Sequence, residues 1–329
     1  MNWPRAAAVL LVGSLALVAV VSRGPAHGEG PRSVQALDRP RFFFAGDGRL
    51  RLRHAHFAEF LDVRFRRTDG TYDASALQQV AHFFRSRGDG AVGPVSLRLV
   101  ELLSYLQSRY RLREMILLSG YRSPEFNDAL GVQGQAVAFA SLHTQGLAAD
   151  LALPGTNLRD LWLRLRGEQV GGVGYYRTQR FLHLDVGPPR FWEETTSRVA
   201  EKLSAGNARV FLRTDFDRYP SLDGAEIVVH SVTAFPLRLH KRLRLVGESG
   251  LLAEAEVMPA QPAGARDVDG CWAIEGPALR HAFRVLKGIS RPEGGAARRR
   301  GRIVWPTCEP RVERTPAEVE SNVVELVAQ

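Results

Sequence analysis

From Leu50 to Phe65 apolar and polar residues partly alternate, at Leu50 and Leu52 and then at Phe57, Phe60, Leu61, Val63 and Phe65. That pattern predicts a pair of strands, followed by a turn at Thr68-Asp69-Gly70. The period then lengthens. Asp73 is a good N-cap, and Leu77, Val80, Ala81 and Phe84 share one face of a helix predicted to reach about Arg87. Ser96 opens a second helix, whose stripe of Leu99, Leu102, Leu103 and Leu106 runs on to Tyr110. A short buried strand over Met115–Leu118 precedes Ser123-Pro124, an N-cap serine with proline at the first helical position. Residues 131–140 are small, glycine-interrupted and poorly periodic, the texture of a loop beside a site. Leu147–Leu153 alternates again as a strand, and Asn157 caps a helix to about Arg166. Gly171–Tyr175 and Phe181–Val186 are strands around a turn at Thr178.

Beyond about residue 205 the texture changes. Val210–Leu212, Glu226–Val232, Leu237–Val246, Ala253–Val257 and Trp272–Ile274 read as strands between Gly/Pro/Asp turns, the pattern of a small β-rich domain. The expected organisation is an export segment over 1–30, a linker over 31–48 and an α+β domain over 49–195. A β-rich domain follows over 205–287, with an outer limit at 310, and a flexible tail over 311–329.

The N-terminus changes the picture more than the bulk composition does. Ala6–Val21 is apolar except for Gly13 and Ser14 and follows Arg5, which reads as a secretory signal or an uncleaved membrane anchor. Either places the rest of the chain in the periplasm or cell envelope, anchored to the inner membrane in the second case. Export makes a Cys271–Cys308 disulfide plausible, although spacing alone does not show that the two thiols meet. The net charge of +9 invites a nucleic-acid partner, but only three of the 44 basic residues are lysine and the arginines are spread along the chain. A solvated basic surface is the plainer reading, and nucleic acid is excluded as a partner. Oligomeric state is not legible.

Hydrolytic zinc needs about three His, Asp or Glu ligands and an open position for water. His143 and Asp150 stand in SLHTQGLAAD and His183 in FLHLD. If Leu147–Leu153 is a strand, Ala148 and Asp150 share a face, and the small Ala148 clears space there. Gly146 lets the chain turn between His143 and that strand. His183 and Asp185 likewise share a face. Spacing alone leaves a plain alternative, two surface polar residues and a core histidine. His54 and His56 form another possible pair without a third ligand nearby, and His230, His240 and His281 stand apart.

The full wording goes further. SGYRSPEFN (119–127), SLHTQGLAAD (141–150), GGVGYY (171–176) and FLHLDVG (181–187) occur in the order found in the M15 zinc peptidase clan. The chain resembles in particular its DUF882, murein endopeptidase K-like branch, over residues 45–192. The resemblance implies an α+β, M15-type (hedgehog/DD-peptidase-like) zinc peptidase domain followed by the small β-rich domain. It implies one Zn²⁺ held by His143, Asp150 and His183. Arg122 matches the family's arginine and suits a substrate carboxylate, an oxyanion or the pinning of a neighbouring carboxylate. Several relatives carry an acid three residues before the last ligand histidine; here that position is Arg180. Asp185 is then the candidate general base or a hydrogen-bond partner of His183. Tyr175 and Tyr176 are expected to line the cleft, and Trp192 either to close the core or to stack on a sugar.

The implied activity is that of an exported metallopeptidase hydrolysing the peptide cross-links of peptidoglycan, with wall peptides as partners. A D-amino-acid carboxypeptidase and a non-catalytic, zinc-containing wall-binding protein are the alternatives.

Overall fold

Alternation along the first strands puts every second side chain inside. β1 (Arg49–His54) buries Leu50, Leu52 and His54, and β2 (Phe60–Arg64) buries Leu61 and Val63; they pair antiparallel with Leu52 opposite Leu61. The structure, a computed structural model, describes residues 40–132, 141–197, 205–233, 235–261, 264–275, 281–286, 299–308 and 314–327. The expected export segment lies outside these. No helix among the described residues is long and apolar enough to cross a membrane.

β3 (Ile116–Ser119), β4 (Ala148–Ala152), β5 (Gly172–Tyr176), β6 (Phe181–Asp185) and β7 (Arg190–Glu193) complete a seven-stranded sheet ordered β2-β1-β3-β4-β6-β5-β7. Four helices accompany it: α1 (Ala74–Phe83), α2 (Leu97–Arg109), α3 (Pro124–Val132) and α4 (Leu158–Glu168). The Asp73 carboxylate accepts the Ala76 amide at 3.0 Å and so caps α1. This helix stops four residues before Arg87, because Phe84 leaves the helical path and the Ser86 amide is spent on the Ala91 carbonyl. Asn157 caps α4 by accepting the Asp160 amide. Val80 of α1, Leu103 of α2 and Trp162 of α4 share a core with Val173, Leu151 and Leu182 of the sheet. These helices therefore cover one face, and polar side chains gather on the other. Of the expected loop over 131–140, the first two residues continue α3 and the rest lies outside the described residues.

From Phe211 on, the regular elements among the described residues are strands: β8 (Phe211–Thr214), β9 (Arg218–Tyr219), β10 (Glu226–His230), β11 (Leu237–His240), β12 (Arg242–Gly247), β13 (Gly250–Pro259), β14 (Arg266–Val268), β15 (Cys271–Ile274), β16 (His281–Val285), β17 (Arg299–Pro306) and β18 (Glu318–Leu326). They form an eight-stranded sheet, β8-β10-β16-β13-β12-β17-β18-β9, and a three-stranded one, β11-β15-β14. The expected single strand over Leu237–Val246 divides near Lys241, since β11 pairs with β15 while β12 pairs with β13 and β17. Leu212, Ile227, Leu243, Phe283 and Trp305 belong to a second core. Cys271 and Cys308 are joined in a disulfide.

Two expectations are corrected. The linker over 31–48 does not extend through 40–48, because Phe42 is buried and the Phe43 amide donates to Asp217 at 2.8 Å. The tail over 311–329 is not flexible throughout: β18 lies between β17 and β9 and buries Val319, Ser321, Val324 and Leu326. Residues 36–329 form one compact unit. Within it, Arg98 of α2 pairs with the buried Asp217, Arg213 donates to the Val186 carbonyl at 2.6 Å, and Gln145 meets His230 at 3.0 Å.

Candidate metal centre

Register builds the site. In β4 and β6, Asp150 lies opposite His183 and Ala148 opposite Asp185. In β5, Gly174 opposes His183 and Gly172 opposes Asp185; in β7, Trp192 and Arg190 stand beside those same glycines. Directly opposed residues share a face, so Asp150, His183, Asp185, Arg190 and Trp192 project together, away from the helices. The two glycines make room for them. A Cβ on Gly172 would lie 2.1 Å from Asp185 Oδ2, and one on Gly174 would lie 2.5 Å from Trp192 Cε2.

His143 arrives from a 3-10 turn, Leu142–Gln145, closed by Gly146 in the left-handed region at φ 66. A side chain at Gly146 would be strained there and would strike the Pro94 carbonyl oxygen, 1.8 Å from its Cβ.

Both histidines have their tautomers set from behind. His143 Nδ1 lies 2.7 Å from the Gly120 carbonyl oxygen and donates to it, leaving Nε2 as the acceptor atom. His183 Nε2 lies 3.1 Å from Asp185 Oδ2, leaving Nδ1 to face Asp150 Oδ1 at 2.9 Å and His143 Nε2 at 3.3 Å. One ligand atom from each of His143, Asp150 and His183 lies within 4.8 Å of the others. Two imidazole lone pairs and a carboxylate converging on one point repel one another unless a cation sits between them. The donor set fits zinc.

Charge follows from burial and partners. Burial pushes the His143 pKa down, and Arg122 adds to that. For Asp150 burial acts upward, but the two histidines outweigh it and hold the carboxyl well below its ordinary range. Burial disfavours a charged His183, yet Asp150 and Asp185 more than offset this and raise its pKa, so protons compete with a metal there at low pH. Burial would likewise raise Asp185, but Arg190 and then His183 bring it to about 2.

Asp185 is wholly engaged. Its Oδ1 accepts the Gly187 amide at 2.8 Å, and its Oδ2 takes His183 together with Arg190 Nη2 at 2.6 Å. It stands behind the His183 ring, on the edge turned away from His143 and Asp150. Arg122 donates from Nε to Ser119 Oγ and from Nη2 to Asp150 Oδ2, each at 2.9 Å. Tyr176 shares the site face: its hydroxyl accepts from Trp192 Nε1 at 3.2 Å, and the Trp192 ring centroid lies 5.3 Å from that of His183. Tyr175 does not. It points to the helix side and packs near Trp162, as the alternation along β5 requires, so its expected place in the cleft is corrected. Trp192 belongs to the site face rather than the core. Arg180 is exposed in the β5–β6 turn.

His54 and His56 do not form a metal pair. His54 Nδ1 accepts the His56 and Phe57 amides at 3.1 and 3.3 Å, and His56 meets the Leu118 carbonyl. Arg190 was not anticipated, and Ser119 was expected only to shape the turn beside Arg122. The alternation of RFWE beside GVGYY was the one available signal for Arg190 and Trp192, and it needed the β5–β7 pairing to be read.

A family model described as peptidoglycan L,D-endopeptidase MepK matches residues 45–192. The chain is 32% identical over 186 residues to the peptidoglycan L,D-endopeptidase MepK of Escherichia coli (strain K12), covering 56% of this chain and 94% of that protein. It is 30% identical over 146 residues to the probable peptidoglycan L,D-endopeptidase MepK of Haemophilus influenzae, covering 44% and 78%. Among solved structures, the fimbrial subunit MyfA of Yersinia enterocolitica covers 35% of this chain at 13% identity and a TM-score of 0.21, a likeness too slight to assign a fold.

Proposed function

The chain belongs to the peptidoglycan L,D-endopeptidase MepK family of peptidases, and from that membership we propose that it is an exported zinc metallopeptidase cleaving peptide cross-links of peptidoglycan in the periplasm. The observation that carries the metal reading is the convergence of His143 Nε2, Asp150 and His183 Nδ1, with the far nitrogen of each ring already engaged. A zinc ion bound there supplies a Lewis acid that polarises the scissile carbonyl and makes water nucleophilic near neutral pH. The protein's own part is placement. Gly120 and Asp185 hold the two rings, and Arg190 holds Asp185. Ser119 and Arg122 fix the Asp150 carboxylate at the angle the ligand set needs.

On this reading Asp185 is a positioning residue, the second of the two roles its sequence left open: both its oxygens are engaged and it lies behind His183, away from His143 and Asp150. Arg122 serves first as the anchor of Asp150. Its Nη1, without a partner among the described residues, is the nitrogen left for a substrate oxygen. The Tyr176 hydroxyl, already accepting from Trp192, keeps its proton to donate to the wall peptide, and Trp192 forms a wall of the cleft beside His183. The L,D specificity in the relatives' name directs the bond cut to one between an L and a D centre.

Digestion of purified sacculi with the full chain, with and without chelator, tests this. Cross-linked dimers are expected to disappear, to persist under chelation and to disappear again when zinc is restored. Retention on sacculi with no new fragment would indicate a non-catalytic wall binder. Release of single terminal D-amino acids with dimers intact would indicate a carboxypeptidase.

A further inference from the structure

A cavity of about 600 Å³, whose lining includes none of His143, Asp150 and His183, opens where the helix-covered sheet meets the C-terminal strands. Apolar walls come from Phe44, Val186, Val210 and Phe211, and guanidinium groups from Arg98, Arg213, Arg300 and Arg302. Their charge is unevenly compensated. Arg98 is paired with Asp217 and Arg300 with Glu325. Arg302, exposed, bonds the Ser321 carbonyl. Arg213 is the unusual one: only 9% exposed, it donates to the carbonyls of Val186 and Leu212 and lies over the Phe211 ring, with no carboxylate within ion-pair distance among the described residues. The other carboxylates lining the cavity are Glu168, bonded to Tyr105, and the exposed Glu320. Burial pulls the pKa of this guanidinium down to about 9, and Asp217 and Asp185 act on it only through space, so a charged group whose direct bonds are all to carbonyls is stabilised by an anion bound against it.

We propose that this cavity is a binding site for a small organic carboxylate with an apolar body, anchored on Arg213 with Arg302 as the outer cation. The shared chemistry has two sources, a free aromatic or aliphatic acid and the carboxyl end of a wall peptide. The site is separate from the peptidase reading and is tested without activity.

Isothermal titration of the full chain with benzoate, with N-acetyl-D-alanine and with uncharged benzamide reads it directly. Saturable 1:1 binding is expected for at least one carboxylate and not for benzamide, and which carboxylate binds identifies the source. Arg213→Gln should weaken that binding about tenfold or more, the loss expected for a buried charge-assisted bond. His143→Ala, which removes a metal ligand, should leave it unchanged, so failure here and failure of the peptidase reading are told apart. Should Arg213→Gln not fold, Arg302→Gln, at an exposed position, is expected to weaken binding several-fold. Absence of binding by both carboxylates, equal binding of benzamide, binding unaltered in both arginine variants, or binding lost in His143→Ala would overturn the proposal.

Discussion

Asp185 shows how a single buried group is assigned by its partners rather than by its type. A carboxylate whose Oδ1 accepts from the Gly187 amide and Arg190 Nη1, and whose Oδ2 accepts from His183 and Arg190 Nη2, has its lone pairs taken. Asp185→Asn is expected to lower zinc affinity about 10- to 100-fold, the usual effect of losing a ligand's hydrogen-bond partner, while turnover at saturating zinc stays near normal. Zinc titration with a competing chelator, alongside turnover, checks this; full zinc occupancy with turnover abolished would restore the base role. His54 gives a pH prediction of another kind. Burial lowers its pKa from 6.5 to about 4, and its Nδ1 accepts two backbone amides only when that nitrogen is unprotonated. The unfolded chain therefore takes up the proton first as pH falls, and stability drops between about 6.5 and about 4, with no further loss from this group below that. Urea midpoints across that window should fall in the wild type and fall less in His54→Gln.

Among the elements, β5 depends most on what it lacks. Gly172 and Gly174 occupy the site face, and methyl groups there would meet Asp185 and Trp192. Gly172→Ala is expected to destabilise the fold by about 1–3 kcal/mol, as overpacking does, and to weaken zinc binding by displacing Asp185. Chemical denaturation and metal titration measure the two effects separately. The same strand marks the limit of legibility. Its period of two, like that of β1, β4 and β6, was readable, and so the shared face of His183 and Asp185 was too. That Tyr176 faces the site and Tyr175 the helices followed only once β5 was registered against β6. Trp192 and Arg190 required the parallel β5–β7 pairing, which no local pattern announces. β17 and β18 were hidden for a different reason: RRGRIVWP and EVESNVVEL carry charges on exposed positions, and their apolar residues gain meaning only from each other and from β12.

At the scale of the whole molecule, the C-terminal strands are tied to the helix-covered sheet by buried polar contacts. Asp217 takes Arg98, the Phe43 amide and Asn322 Nδ2, joining α2, the segment before β1 and β18. Arg98→Met leaves that carboxylate buried without its counter-charge, and a loss of about 3–5 kcal/mol is expected in equilibrium unfolding. Metal and bond cleavage belong to one site on this reading, so zinc content and cleavage of a purified cross-linked muropeptide dimer are to be measured on the same sample of full chain and of His143→Ala. One zinc per chain and cleavage are expected in the first, with both lost together in the second. Cleavage by the metal-free chain, or undiminished cleavage by His143→Ala, would contradict that reading.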